Sequence, residues 1–94
     1  MARELRWTRR ALNQLDEIAV WIARDNPLRA TTFAQELRAR ANVLREHELG
    51  RPGRRYGTRE LVLHRHYLAV YRVVGNEVQV LTVIHTARDP SRFA

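Results

Sequence analysis

Three strand-sized runs follow one another in the second half of this chain: Gly57–Leu63, Tyr67–Val73 and Val78–Arg88. Each is rich in β-branched, leucine or aromatic residues and is bounded by turn residues, the pattern of strands in a half-buried sheet. His64-Arg65-His66 makes a polar corner between the first two runs, and Gly75-Asn76 is a two-residue hairpin signal between the last two. Connections this short make the three strands neighbours in one sheet. A sheet with one apolar face must be covered, and that requirement governs how the rest of the chain is read.

The first half supplies the cover. Leu5 and Trp7 alternate with Glu4 and Arg6, as a short first strand would, and Thr8 is placed to cap the helix that follows. That helix is expected from about Arg9 to Arg24, with Leu12, Leu15, Ile18, Ala19 and Ile22 recurring at helical spacing. Asp25-Asn26-Pro27 ends it and starts another. Asn26 can cap, and Pro27 suits the first helical position, where its missing N–H would go unbonded. The second helix is expected from Pro27 to about His47, with the stripe Ala30, Phe33, Leu37, Ala41 and Leu44, and Leu49-Gly50 closing it. Neither stripe buries itself alone, so helices and sheet need each other. The expected fold class is α+β: a β-α-α-β-β-β order, with a helical hairpin packed on one face of a small, mainly antiparallel sheet. The 94 residues make one domain, 1–94, with no internal repeat.

Composition narrows the partners. All 17 cationic side chains are arginine, the formal net charge is +7, and the stretch from Gly50 onward holds eight arginines against Glu60, Glu77 and Asp89. Such a body attracts polyanions and acidic protein surfaces. No cysteine is present, which removes disulfides and thiolate metal sites. The apolar runs are strand-sized, far short of the roughly 20 residues of a membrane span, and Met1-Ala2-Arg3-Glu4 does not begin a signal peptide, so no membrane role and a cytoplasmic location are expected. No cofactor is called for in so small a chain, and no metal site. His64, His66 and His85 read as polar residues of strand ends, with no acidic or thiol group at ligand spacing.

The residues that stand out are basic. Arg51, Arg54, Arg55 and Arg59 cluster around the turn-rich loop Arg51–Gly57, and Tyr56 lies among them as a candidate contact residue. Trp7, Trp21, Phe33, Tyr67 and Tyr71 read as core and edge packing. Arg72 falls among apolar neighbours and must reach the sheet's open face or a carboxylate such as Glu60. His85 at a strand end reads as bonded to a neighbouring carbonyl.

Taken together, Asp25-Asn26-Pro27, Gly50-Arg51-Pro52-Gly53, Gly57-Thr58-Arg59-Glu60-Leu61-Val62, Tyr71-Arg72-Val73 and Val83-Ile84-His85-Thr86-Ala87-Arg88 resemble the pattern of the RelE/ParE toxins of bacterial type II toxin–antitoxin systems. The resemblance covers nearly the whole chain. It implies a chromosomal or plasmid-stabilising toxin that inhibits growth and is neutralised in a hetero-oligomer by a cognate antitoxin of ParD or RelB type, whose acidic or amphipathic segment would cover the basic sheet.

Two activities occur in that family. RelE-like members cut messenger RNA on the ribosome, whereas ParE-like members bind DNA gyrase and inhibit it without chemistry of their own. Arg59 and Arg88 match basic positions of the RelE-like set, and His85 is a candidate acid or base, so these three would be catalytic if the chain were an endoribonuclease. Leu61, Leu68 and the Phe93-Ala94 end depart from that set, replacing two cations and a tyrosine. The ParE-like gyrase reading is therefore preferred. Its expected target-binding or partner-binding residues are Arg51, Arg54, Arg55, Tyr56, Arg59, Arg72, Arg88 and Arg92. The alternatives are the ribosome-dependent endonuclease and, more weakly, a non-toxic basic DNA-binding partner. The last lacks a recognition helix, because the helical arginines are spread around both circumferences.

Overall fold

The computed structural model describes residues 2–47 and 50–87. Strand β1 (Glu4–Trp7) leads into helices α1 (Arg9–Ala23) and α2 (Pro27–Ala41), a single 3₁₀ turn (Asn42–Arg45), and strands β2 (Arg51–Pro52), β3 (Arg59–His64), β4 (Tyr67–Val74) and β5 (Glu77–His85). The sheet order is β1-β5-β4-β3-β2. β1 runs parallel to β5 and every other pairing is antiparallel, giving a mixed five-stranded sheet under two helices. This is the expected α+β architecture with one added strand, because Arg51-Pro52 of the basic loop pairs with Glu60 and Arg59.

Local chemistry sets the boundaries. The Thr8 hydroxyl accepts from the Ala11 N–H (3.2 Å) and donates to the Val80 carbonyl (2.8 Å), so the residue that starts α1 also ties it to β5. The Asn26 side chain accepts from the Arg29 N–H at 3.0 Å, with Pro27 at the first helical position. The second helix ends earlier than expected, its last turn tightening to 3₁₀ over Asn42–Arg45. In the β4–β5 hairpin Gly75 has φ +59° and Asn76 has no positive φ, the glycine placement of a type II′ turn.

The core lies between the helices and one sheet face: Leu15, Ile18, Phe33, Leu37, Leu44, Leu61, Tyr71, Val78 and Val80 are all buried there. The α2 stripe is the expected one. The α1 stripe is rotated: Ala11 is fully buried while Leu12 is 37% exposed, and Ala19 is only partly covered. The expected and observed stripes share Leu15, Ile18 and Ile22 and part at Leu12, which side-chain size favours on paper. The packed helix instead puts small Ala11 where α1 lies against the sheet. Gln14 occupies another inward position. Its Oε1 accepts from the Val83 N–H (2.7 Å) and the Thr82 hydroxyl (2.8 Å), satisfying the part of the β5 edge that β1 does not reach.

Candidate functional site

The sheet face turned away from the helices carries Glu60 on β3, Val70 on β4, and Thr82 and Ile84 on β5. A β-bulge at Leu81 between the Val70–Thr82 and Tyr71–Val80 pairs restores the alternation and brings Leu81 to the same region. These residues floor a cavity of 280 Å³. Its rim is basic: Arg54 and Arg55 stand on one side and Arg10 on the other, in the first turn of α1 beyond the β5 edge. The sequence offered no signal for Arg10, because only the bonds from Thr8 and Gln14 to β5 fix that turn there.

The rim is built on the β2–β3 hairpin. Arg51 and Glu60 are cross-strand partners, and the Gly53 N–H donates to the Thr58 carbonyl at 2.8 Å, continuing the ladder. The Thr58 N–H (3.1 Å) and hydroxyl (2.7 Å) both donate to the Arg55 carbonyl, which closes the loop Arg54–Gly57. Gly57, at φ +79°, takes the left-handed position. Tyr56 projects at the tip with its full surface exposed.

Beneath the loop Glu60 is 7% exposed. A carboxylate so buried needs partners, and it has them in Arg51 Nε at 3.6 Å and the Arg54 N–H at 3.4 Å. Arg72 is therefore not its partner. Arg72 Nε donates to Gln79 Oε1 (2.7 Å), and Gln79 passes the network to Glu77, 3.9 Å from Arg6. Register explains this: Arg72 pairs with Gln79, while Glu60 pairs with Arg51 and Val70. Arg72 belongs to a separate polar patch.

Arg59 points to the other face. Its guanidinium donates to the Gly50 carbonyl at 2.6 Å, next to fully buried Tyr71, and so fastens the strand leading into the hairpin. His85 lies at the far end of β5, edge-on to Tyr67 (4.9 Å between ring centroids), stacked on His66 (5.7 Å), with Nδ1 accepting from the Ala87 N–H at 3.2 Å. The Nδ1 side of the ring is thus engaged by a backbone N–H. Arg59 pairs with Tyr71 and His85 with Tyr67, four residues and two strand spacings apart. At ~3.3 Å per residue and ~4.8 Å per strand, that is about 16 Å. The structure therefore gathers Arg54 and Arg55 with Arg10 around one cavity, keeps Arg51 and Tyr56 on the same hairpin, and sets the backbones of Arg59 and His85 at opposite ends of the sheet. Arg88 and Arg92 lie outside the described residues.

A two-helix hairpin over a small mixed sheet, with a basic hairpin overhanging its far face, defines a small α+β class of basic proteins built to bind. A family model described as ParE toxin of the type II toxin–antitoxin system, parDE, matches residues 5–90. The Y4kP protein of Sinorhizobium fredii, itself described as a candidate toxin, is 41% identical over 85 residues, covering 88% of each chain. A solved structure from the chromosomal ParDE toxin–antitoxin system of P. aeruginosa superposes with a TM-score of 0.84 at 30% identity, over 89% of this chain and 96% of that one. The chain belongs to the ParE toxin family of type II toxin–antitoxin systems.

Proposed function

We propose that this toxin stops growth by binding DNA gyrase and inhibiting it without chemistry of its own, and that a cognate ParD-like antitoxin holds it inactive in a hetero-oligomer. The observation that carries the reading is the fate of the endonuclease candidates. RNA cleavage requires a proton acceptor and cations converging on one phosphate. Arg59 is held at the Gly50 carbonyl, where it ties down the hairpin, and its Cα lies about 16 Å by strand geometry from that of His85, which favours a structural over a catalytic role for the arginine. The rim of Arg10, Arg54 and Arg55 around a floor of Val70, Leu81, Thr82 and Ile84, with Glu60 buried and paired beneath it, suits binding. An acidic, amphipathic antitoxin segment would complement it in charge, and P. aeruginosa ParDE supports such a pairing by its likeness.

Induced expression in bacteria tests the proposal. Growth arrest with a DNA-damage response, relieved by co-expressing the antitoxin encoded beside the toxin, is the expected result. Arrest accompanied by ribosome-dependent message cleavage, abolished in the Arg59→Ala/Arg88→Ala variant, would replace the proposal with the endonuclease reading.

A further inference from the structure

The exposed Tyr56 has no role in holding the fold. A ring at 105% of its reference exposure touches nothing that would explain it, yet the loop that presents it is closed by three hydrogen bonds through Gly53, Arg55 and Thr58. An aromatic residue displayed on a fixed hairpin, between two exposed arginines and Gly57, is the arrangement that single-stranded nucleic-acid binders use: cations follow the phosphates and a ring stacks on a base. The charge around it agrees. Glu60, the acidic residue lining the adjoining cavity, is buried and already partnered by Arg51, so the surface offered by Arg10, Arg54 and Arg55 is cationic. A ring at a hairpin tip can stack only on a base that has left its own stack, which favours a single strand over a closed duplex.

We propose that the β2–β3 hairpin is a contact site for single-stranded nucleic acid, with Arg10, Arg54 and Arg55 following the phosphates and Tyr56 stacking on one base. This site is independent of the gyrase reading, since it predicts binding by the toxin alone. Within that reading it would place the hairpin on DNA strands opened by the enzyme.

Fluorescence anisotropy of labelled 15-nucleotide oligo(dT) and oligo(U) with purified antitoxin-free protein provides the test. Three phosphate contacts on a single strand give a slope of about −2.1 in log K against log salt, so binding weakens about 18-fold between 50 and 200 mM salt. Arg54→Ala/Arg55→Ala should reduce that to under about 3-fold, whereas Arg24→Ala/Arg38→Ala, which removes the same charge from the helices, should keep the wild-type slope. Tyr56→Ala should weaken binding roughly 10-fold and Tyr56→Phe should restore it. Equal affinity for the two oligomers supports a site reading the chemistry they share, and preference for one assigns it to DNA or RNA. Unchanged binding by Arg54→Ala/Arg55→Ala overturns the proposal. So does wild-type binding by Tyr56→Ala with polyglutamate displacing the oligomer as readily as unlabelled oligo(dT), which would make the surface a site for acidic protein. Because gyrase is absent from this assay, its failure leaves the gyrase proposal standing, and the reverse holds.

Discussion

Gly50→Ala should disable the anchor of the basic hairpin. A Cβ added at Gly50 would stand 1.9 Å from the Tyr71 hydroxyl oxygen, and 2.6 and 2.7 Å from two ring carbons. Ordinary contacts to carbon begin above 3 Å, so something must move by more than 1 Å. Tyr71 is fully buried and cannot retreat without opening the core beside Arg59. If the Gly50 backbone moves instead, the bond from Arg59 to its carbonyl is strained or lost. Overpacking costs about 1–3 kcal/mol, and a hydrogen bond to a charged group contributes about 1.5–3 kcal/mol. Either route destabilises by roughly 1–3 kcal/mol. At about 4–8 °C per kcal/mol for a domain of this size, the melting temperature should fall by at least ~4 °C. Thermal melts and urea titrations of wild type, Gly50→Ala and Gly50→Ala/Tyr71→Phe would measure it. The double variant recovers only part of the loss, because the ring carbons still clash. A Gly50→Ala protein melting within about 2 °C of wild type would refute the reasoning.

Four further outcomes are expected. Leu15→Ala, Phe33→Ala and Leu37→Ala should each cost roughly 2–5 kcal/mol in urea unfolding, whereas Leu12→Ala should cost less than about 1 kcal/mol because its side chain is already partly in water. Thr8→Ala should destabilise by about 2 kcal/mol, more than an ordinary cap, since the hydroxyl also bonds β5, and Thr8→Ser should retain most of that. The Arg29 guanidinium, hydrogen-bonded to Glu36, holds the Glu36 carboxyl below the usual carboxylate range. The pair's contribution is therefore present above the ordinary carboxylate pKa and is lost as pH falls through the lowered one; NMR titration should show Glu36 moving up in Arg29→Ala, with the difference shrinking in salt. Arg72→Ala should leave the melting temperature nearly unchanged, its partner Gln79 being near solvent on the sheet surface.

The elements were legible where local chemistry dictates them. Thr8, Asn26-Pro27 and Gly75-Asn76 announce helix starts and a hairpin through capping and turn preferences that need no tertiary context. The α2 stripe was legible because Phe33, Leu37 and Leu44 leave one choice of inward face. The α1 stripe was legible at Leu15, Ile18 and Ile22 but not at its start, where a small rotation exchanges Ala11 for Leu12 and the closeness of helix to sheet decides between them. Polar Gln14 was the available clue: a side chain that binds a sheet edge must sit on the inward side. The basic hairpin was visible as arginines in a turn-rich loop, but β2 is two residues long and exists only through its pairing to β3. The partition of arginines followed the same logic. Whether Arg51 or Arg72 takes Glu60 depends on register, and Arg10 joins the cavity only because α1 wraps the β5 edge.

A gyrase supercoiling assay with purified antitoxin-free toxin tests the central claim most directly. Relaxed plasmid, ATP and gyrase are titrated with folded protein, and the supercoiled and cleaved products are counted. Loss of supercoiling or trapped cut DNA at near-stoichiometric toxin, reversed by the cognate antitoxin, is the predicted result. Full supercoiling at a large excess of folded toxin, together with message cleavage when ribosomes are supplied, would contradict it.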